Sequence, residues 1–150
     1  LASTHLGVPF VLMHYAPGNL QKLQAPFTGN GVVWLSVLSS AKGKEGYVDA
    51  AGAEKERADN KSKATAVILD SEGKLGKLYD AKTTPHMFVI DKAGRVAYMG
   101  GIDDRPYQDP ESLKGAKAYV ANALADLKAG RAVADPVSAP YGCAVRYASA

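Results

Sequence analysis

Three short apolar runs organise the pattern of this chain: Val32–Leu38, Thr65–Leu69 and Met87–Ile90. Each is nearly continuous and rich in β-branched or aromatic residues, as in strands covered on both faces by helices. The stretches between them change period. Pro9 suits the first position of a helix, where its missing N–H costs nothing. Pro17-Gly18 then interrupts, and Asn19 can cap a second helical stretch, Leu20 to Phe27. Asp49 to Asn60, dense in Ala, Glu, Lys and Arg, reads as an exposed helix, and Ser71 to Tyr79 can hold a short one. The turn cluster 91–95 separates Met87–Ile90 from Val96–Met99 and predicts a β-hairpin. Leu113, Ala116, Tyr119, Val120, Ala123, Leu124 and Leu127 recur at three- and four-residue spacing. That spacing predicts a helix over 111–128, ended by Gly130. The order β-α-β-α-β-α-β-β-α implies an α/β domain with a mixed central sheet flanked by helices.

Composition narrows the class without naming a task. At 150 residues, 47% apolar and 22% charged, the chain suits one globular domain with a real core. The domain is expected over 1–130, followed by an irregular tail over 131–150 containing Pro136, Pro140 and Gly142. The net charge of +3 is mild, and the basic residues are scattered. They read as a solvated face, so no nucleic-acid partner is expected. No apolar run approaches the ~20 residues of a membrane span, and no Lys/Arg-headed leader is visible. One cysteine, Cys143, cannot form an internal disulfide and leaves the redox compartment open.

A second informative stretch is "KTTPHMFVID" (82–91). A proline directly before an apolar strand belongs at the strand's first position, because it donates no ladder bond. An ordinary trans proline is the plain alternative. The hairpin that follows, and the strand–turn–helix pattern of 1–16, favour a cis Thr84–Pro85 bond. Gly100-Gly101 lacks the context of a phosphate loop and reads as a bulge or tight strand exit. Asp70 and Asp91 follow apolar runs and suit turns. No paired carboxylates and no serine nucleophile elbow are present.

The motifs "VPFVLMHYAPGNLQKLQ" (8–24), "GVVWLSVLSS" (31–40), "TAVILDSEGKLGKLYDAKTTPHMFVID" (65–91), "YMGGIDD" (98–104) and "PYGCAVRY" (140–147) carry a resemblance. Together they resemble a bacterial redoxin family related to the alkyl hydroperoxide reductase/thiol-specific antioxidant group and to thioredoxin-like proteins. The resemblance runs over nearly the whole chain, in order. It implies a thioredoxin-like fold and thiol-dependent oxidoreductase activity, either antioxidant peroxide reduction or thiol–disulfide exchange. It further implies a redox cysteine before Pro9-Phe10-Val11 and a resolving thiol at Cys143. No cofactor and no metal are implied. The partners would be a thiol reductant protein and a peroxide or disulfide substrate, acting on a monomer or homodimer in an extracytoplasmic bacterial setting.

The chain departs from that pattern at its most important position. Thr4 matches the family, His5 replaces an Asn, and Val8 stands where the catalytic cysteine belongs. A thiolate is the nucleophile in both chemistries, and a helix N-terminus favours that anion. Valine offers neither. Only Leu1 to Thr4 remain for the first strand, which therefore reads as truncated. The alternative function is a non-enzymatic thioredoxin-like binding module that has lost its redox cysteine.

The remaining candidates each have two readings. Cys143 is either a small residue in a folded-back tail or a resolving thiol that a flexible tail brings to position 8. Thr84 and Pro85, with Phe10 and His14, form a substrate-facing wall by resemblance. The backbone at Thr84 would offer an edge to a partner's extended chain, and a purely structural turn is the alternative. His5, His14 and His86 with Cys143 make a weak soft-metal set, without His-x-x-His or Cys-x-x-Cys spacing.

Overall fold

The apolar runs become strands of a five-stranded mixed sheet in the computed structural model, which describes residues 2–3, 19–105, 111 and 114–149. The strands are β1 (Ala2–Ser3), β2 (Leu35–Leu38), β3 (Ala66–Leu69), β5 (His86–Ile90) and β6 (Val96–Gly100), with β4 (Thr83–Thr84) outside this sheet. Their order across it is β3-β2-β1-β5-β6. The first three run parallel, β5 opposes β1, and β6 returns against β5 as the expected hairpin. β1 is central, with Ala2 between Ser36 and Met87, and Ser3 between Val37 and His86.

The helices are α1 (Asn19–Thr28), α2 (Ala50–Asp59), α3 (Lys74–Leu78) and α4 (Tyr119–Lys128). The expected helix opened by Pro9 lies outside the described residues. Asp49 caps α2 by accepting the Gly52 N–H at 2.8 Å, and Ala53 is its buried contact residue. The start of α3 is organised by the buried Asp70 carboxylate. It accepts from Leu75 N at 3.1 Å, Gly76 N at 2.8 Å and the Ser39 hydroxyl at 2.8 Å. Leu20 of α1 and Val120 and Ala123 of α4 join Trp34, Ala64, Met87, Val89, Tyr98 and Ile102 in one core cluster. On the opposite side of β5, Phe88 stacks on His86 and meets Tyr79 edge-on.

One expectation needs correction. Helix α4 begins at Tyr119 rather than at 111. Gly115 adopts φ +72°, and the Lys117 N–H goes to the Asp104 carboxylate at 2.8 Å instead of into a helical turn. Apolar spacing over 111–118 therefore overstates the helix.

Most of the tail has neither helix nor strand, yet it is ordered against the domain. It adds β7 (Cys143–Ala144) and is fastened along its length. Residues 136–138 run beside β6, where Met99 N donates to Pro136 O at 3.0 Å and Ser138 N to Met99 O at 3.1 Å. Gly100, at φ +148°, lets this approach happen, because a Cβ there would overlap Ser138 and come within 2.8 Å of its nitrogen. The Ser138 hydroxyl bonds Tyr98 Oη at 2.7 Å and accepts from Gly101 N at 3.0 Å. The Gly100-Gly101 exit expected from sequence is the seat of this crossing.

Candidate functional site: the edge beside Pro85

Thr84–Pro85 is a cis peptide bond and joins β4 to β5. The turn is held locally: the Thr83 hydroxyl donates to Pro85 O at 2.8 Å, and Lys82 N donates to His86 Nδ1 at 3.1 Å. That second bond needs an unprotonated Nδ1, so His86 is held as the neutral ring. Burial pushes its pKa down; Asp80 opposes this and Lys82 adds to it.

β7 lies antiparallel on β4, with Thr83 opposite Ala144 and Thr84 opposite Cys143. Val145 N donates to Lys82 O at 3.0 Å. An antiparallel ladder alternates bonded and non-bonded pairs, so Thr84 and Cys143 form the next bonded pair. Gly142, at φ +134°, lies against the Thr84 carbonyl. A Cβ there would overlap the carbonyl oxygen, sit 2.7 Å from its carbon and 3.2 Å from Pro85 N. Any side chain at 142 is thus incompatible with this seat.

The flanks of β7 are fixed by polar contacts. Tyr141 donates its hydroxyl to Asp103 Oδ1 at 2.5 Å, and that oxygen also accepts from Arg105 N at 2.8 Å. Burial and the Asp103 carboxylate raise the Tyr141 pKa, which keeps the phenol a donor. Beyond β7, Ala41 N donates to Arg146 O at 2.8 Å and the Tyr147 hydroxyl to Ala81 O at 2.7 Å. Cys143 is a free, half-buried thiol packed against the core cluster.

Thr84, Pro85 and Cys143 therefore meet at one edge. Thr4, Val8, Pro9, Phe10 and His14, with His5, lie outside the described residues. Cys143, expected on a flexible tail, sits in a two-residue strand paired with Thr84. The Thr84 edge, expected to face a partner, is occupied by the chain's own tail. Among the described residues no three His, Cys, Asp or Glu side chains gather as metal ligands, and no helix is long and apolar enough to cross a membrane. Surface grooves of about 230 Å³ between α2 and β3 and about 260 Å³ between α4 and residues 131–135 lie away from this edge. Sequence reasoning missed Asp103, Ser138, Tyr141 and Tyr147 as tail fasteners. The motifs "YMGGIDD" and "PYGCAVRY" hold all but Ser138, but spacing does not say that they touch.

No protein-family model matches the chain, and no curated protein matches it. Solved structures do. An uncharacterized conserved protein from Geobacillus kaustophilus superposes with a TM-score of 0.82 at 20% identity, covering 99% of this chain and 76% of its own. A hypothetical protein from Sinorhizobium meliloti superposes with a TM-score of 0.80 at 21% identity, covering 99% and 79%. At this identity the likeness speaks for the architecture alone, and it establishes a mixed α/β fold shared with proteins of two bacteria.

Proposed function

We propose that the chain is a thioredoxin-like redoxin scaffold, of the kind that reduces a peroxide or exchanges a disulfide through thiols, in which Val8 stands at the position of the attacking cysteine. The observation that carries this reading is the pairing of Cys143 with Thr84 at the cis Pro85. It brings the sole thiol to the proline turn, and β1 ends beside His86, one residue from that turn. In the two-thiol form of the reaction, a thiolate at position 8 attacks the peroxide oxygen and releases the alcohol or water. Cys143 then closes a disulfide on the sulfenic acid with loss of water. An external thiol protein supplies two electrons and two protons to reopen it.

Val8 removes the attacking sulfur from that cycle. A chain with Cys143 alone can form a mixed disulfide with a partner, but it cannot close an internal one. That favours the second reading, a non-enzymatic binding module that keeps the proline edge. The two separate on Val8→Cys. Under mild peroxide the variant should lose two alkylatable thiols to an 8–143 disulfide and consume peroxide with a dithiol reductant. The wild-type protein should keep one alkylatable thiol and turn over no peroxide. A variant that neither cross-links nor consumes peroxide refutes the redoxin reading and leaves the binding module.

A further inference from the structure

We infer that the free edge of β3 pairs with the same edge of a second copy of this chain, antiparallel across a two-fold axis at Ile68, so that two five-stranded sheets become one. The chain treats the two edges of its sheet differently. β6 is covered on its outer side by residues 136–138, which bond to Met99. β3 forms the other edge and, among the described residues, pairs with β2 alone.

The register fixes which groups of β3 stay free. Ala66 lies opposite Leu35, and its N–H donates to Trp34 O at 3.3 Å, while Asp70 N donates to Leu38 O at 2.9 Å. In a parallel ladder alternate residues bond to the same neighbour, so Ala66, Ile68 and Asp70 turn their backbone groups to β2. Val67 and Leu69 turn theirs to the open side. Edge strands are commonly protected by a charge, a proline or a bulge. The run Ala66–Leu69 has none of these, and Leu69 is 44% exposed.

Three features make this edge complementary to itself. Antiparallel pairing sets Val67 opposite the second copy's Leu69, and the two-fold axis repeats the pair, so both free N–H and both free C=O groups of each copy are used. The second feature is the groove of about 230 Å³ that runs beside this edge, lined by Ala50 and Ala53 of α2 and by Val67 and Leu69 of β3. Residues directly opposite each other share a face of the sheet, so the second copy's Leu69 stands at this groove, over small side chains. The third feature is charge. Lys61 and Lys63 precede β3 and have no ion pair among the described residues. Asp70 and Glu72 follow it, against one lysine, Lys74, that bridges Glu72 at 2.6 Å. Antiparallel pairing brings each basic flank to the other copy's acidic flank, whereas parallel pairing would set like flanks together.

The test is sedimentation of the full chain from micromolar to near-millimolar concentration, with a reductant present so that Cys143 cannot link copies. The mass should rise toward twice that of one chain. Val67→Pro removes an outward N–H and leaves every bond to β2, a change that edge strands accept. It should keep the wild-type circular dichroism and sediment as a monomer throughout. Should it fail to fold, Leu69→Lys places a charge at the groove of each copy and carries the same expectation. At the axis, the two Ile68 residues form a non-bonded pair with Cα atoms about 4.5 Å apart, within disulfide reach. The double variant Ile68→Cys/Cys143→Ser should therefore cross-link to a dimer with oxidised glutathione. A wild-type protein that stays monomeric, a folded edge variant that still dimerises, or an Ile68→Cys protein that does not cross-link overturns the inference. β2 and β1 lie between β3 and the strand that follows Pro85, so the outcome is independent of whether Val8→Cys restores peroxide turnover.

Discussion

Replacing Tyr141 by Phe removes one hydroxyl and isolates the contribution of the upstream fastener. The hydroxyl donates to Asp103 Oδ1 at 2.5 Å, and Asp103 is 5% exposed. Water cannot readily substitute for the lost donor at such a site. A hydrogen bond to a charged partner contributes about 1.5–3 kcal/mol. Near 150 residues that is a fall of roughly 3–12 °C in Tm if it acts on global unfolding. If it acts on the tail, the seated state loses the same free energy, and the open population rises by roughly 10- to 100-fold. Cys143 reports that population directly, because its thiol is half-buried and its backbone is paired to Thr84. Its alkylation rate, measured under native conditions with reagent in excess, should rise by the same factor in Tyr141→Phe. Leu20→Ala is the control: it costs about 2–5 kcal/mol of global stability at a core residue 1% exposed, and should leave the alkylation rate alone. A lowered Tm with an unchanged alkylation rate in Tyr141→Phe would refute the reasoning, since Cys143 would then reach solvent without release of the tail.

Three further expectations follow from the packing. His86 has a lowered folded pKa, so the unfolded chain binds more protons below about pH 6.5; its contribution is complete above that pH and is lost as the pH falls toward the folded value. Urea midpoints at pH 7.5 and pH 5 should differ less in His86→Gln than in wild type, and an unchanged difference counts against the assignment. Gly100→Ala forces φ +148° on a residue with a Cβ and drives it into Ser138; more than about 1 kcal/mol should be lost, and an unaltered urea midpoint would contradict the crossing of tail and β6. Asp70→Asn sets an amide donor against one of three donors, Leu75 N, Gly76 N or the Ser39 hydroxyl. It should cost about 1.5–3 kcal/mol, and wild-type stability in that variant would show that the carboxylate does not organise α3.

The elements that sequence reveals are those fixed by their own residues. Val37 and Leu38, or Met87, Phe88 and Val89, are apolar at consecutive positions, and each is buried. Asp49 announces α2 because a cap acts within its own turn. The start of α4 fails the same test, since its position depends on a glycine at φ +72° and on Asp104, thirteen residues away from Lys117. Periodicity carries no information about such a tie. The site divides in the same way. A proline before an apolar strand marks Pro85 from local pattern, whereas the neighbour of Thr84 is 59 residues further along the chain.

That distance explains why the tail reads as irregular. A segment with two prolines, one glycine and many small side chains gives no amphipathic signal, and its order comes from carbonyls and N–H groups belonging to other elements. Gly142 makes the point most sharply. In the sequence it is one glycine of 15, and it is indispensable only because the Thr84 carbonyl occupies the space where a Cβ would be. A constraint of that kind is a property of two strands together.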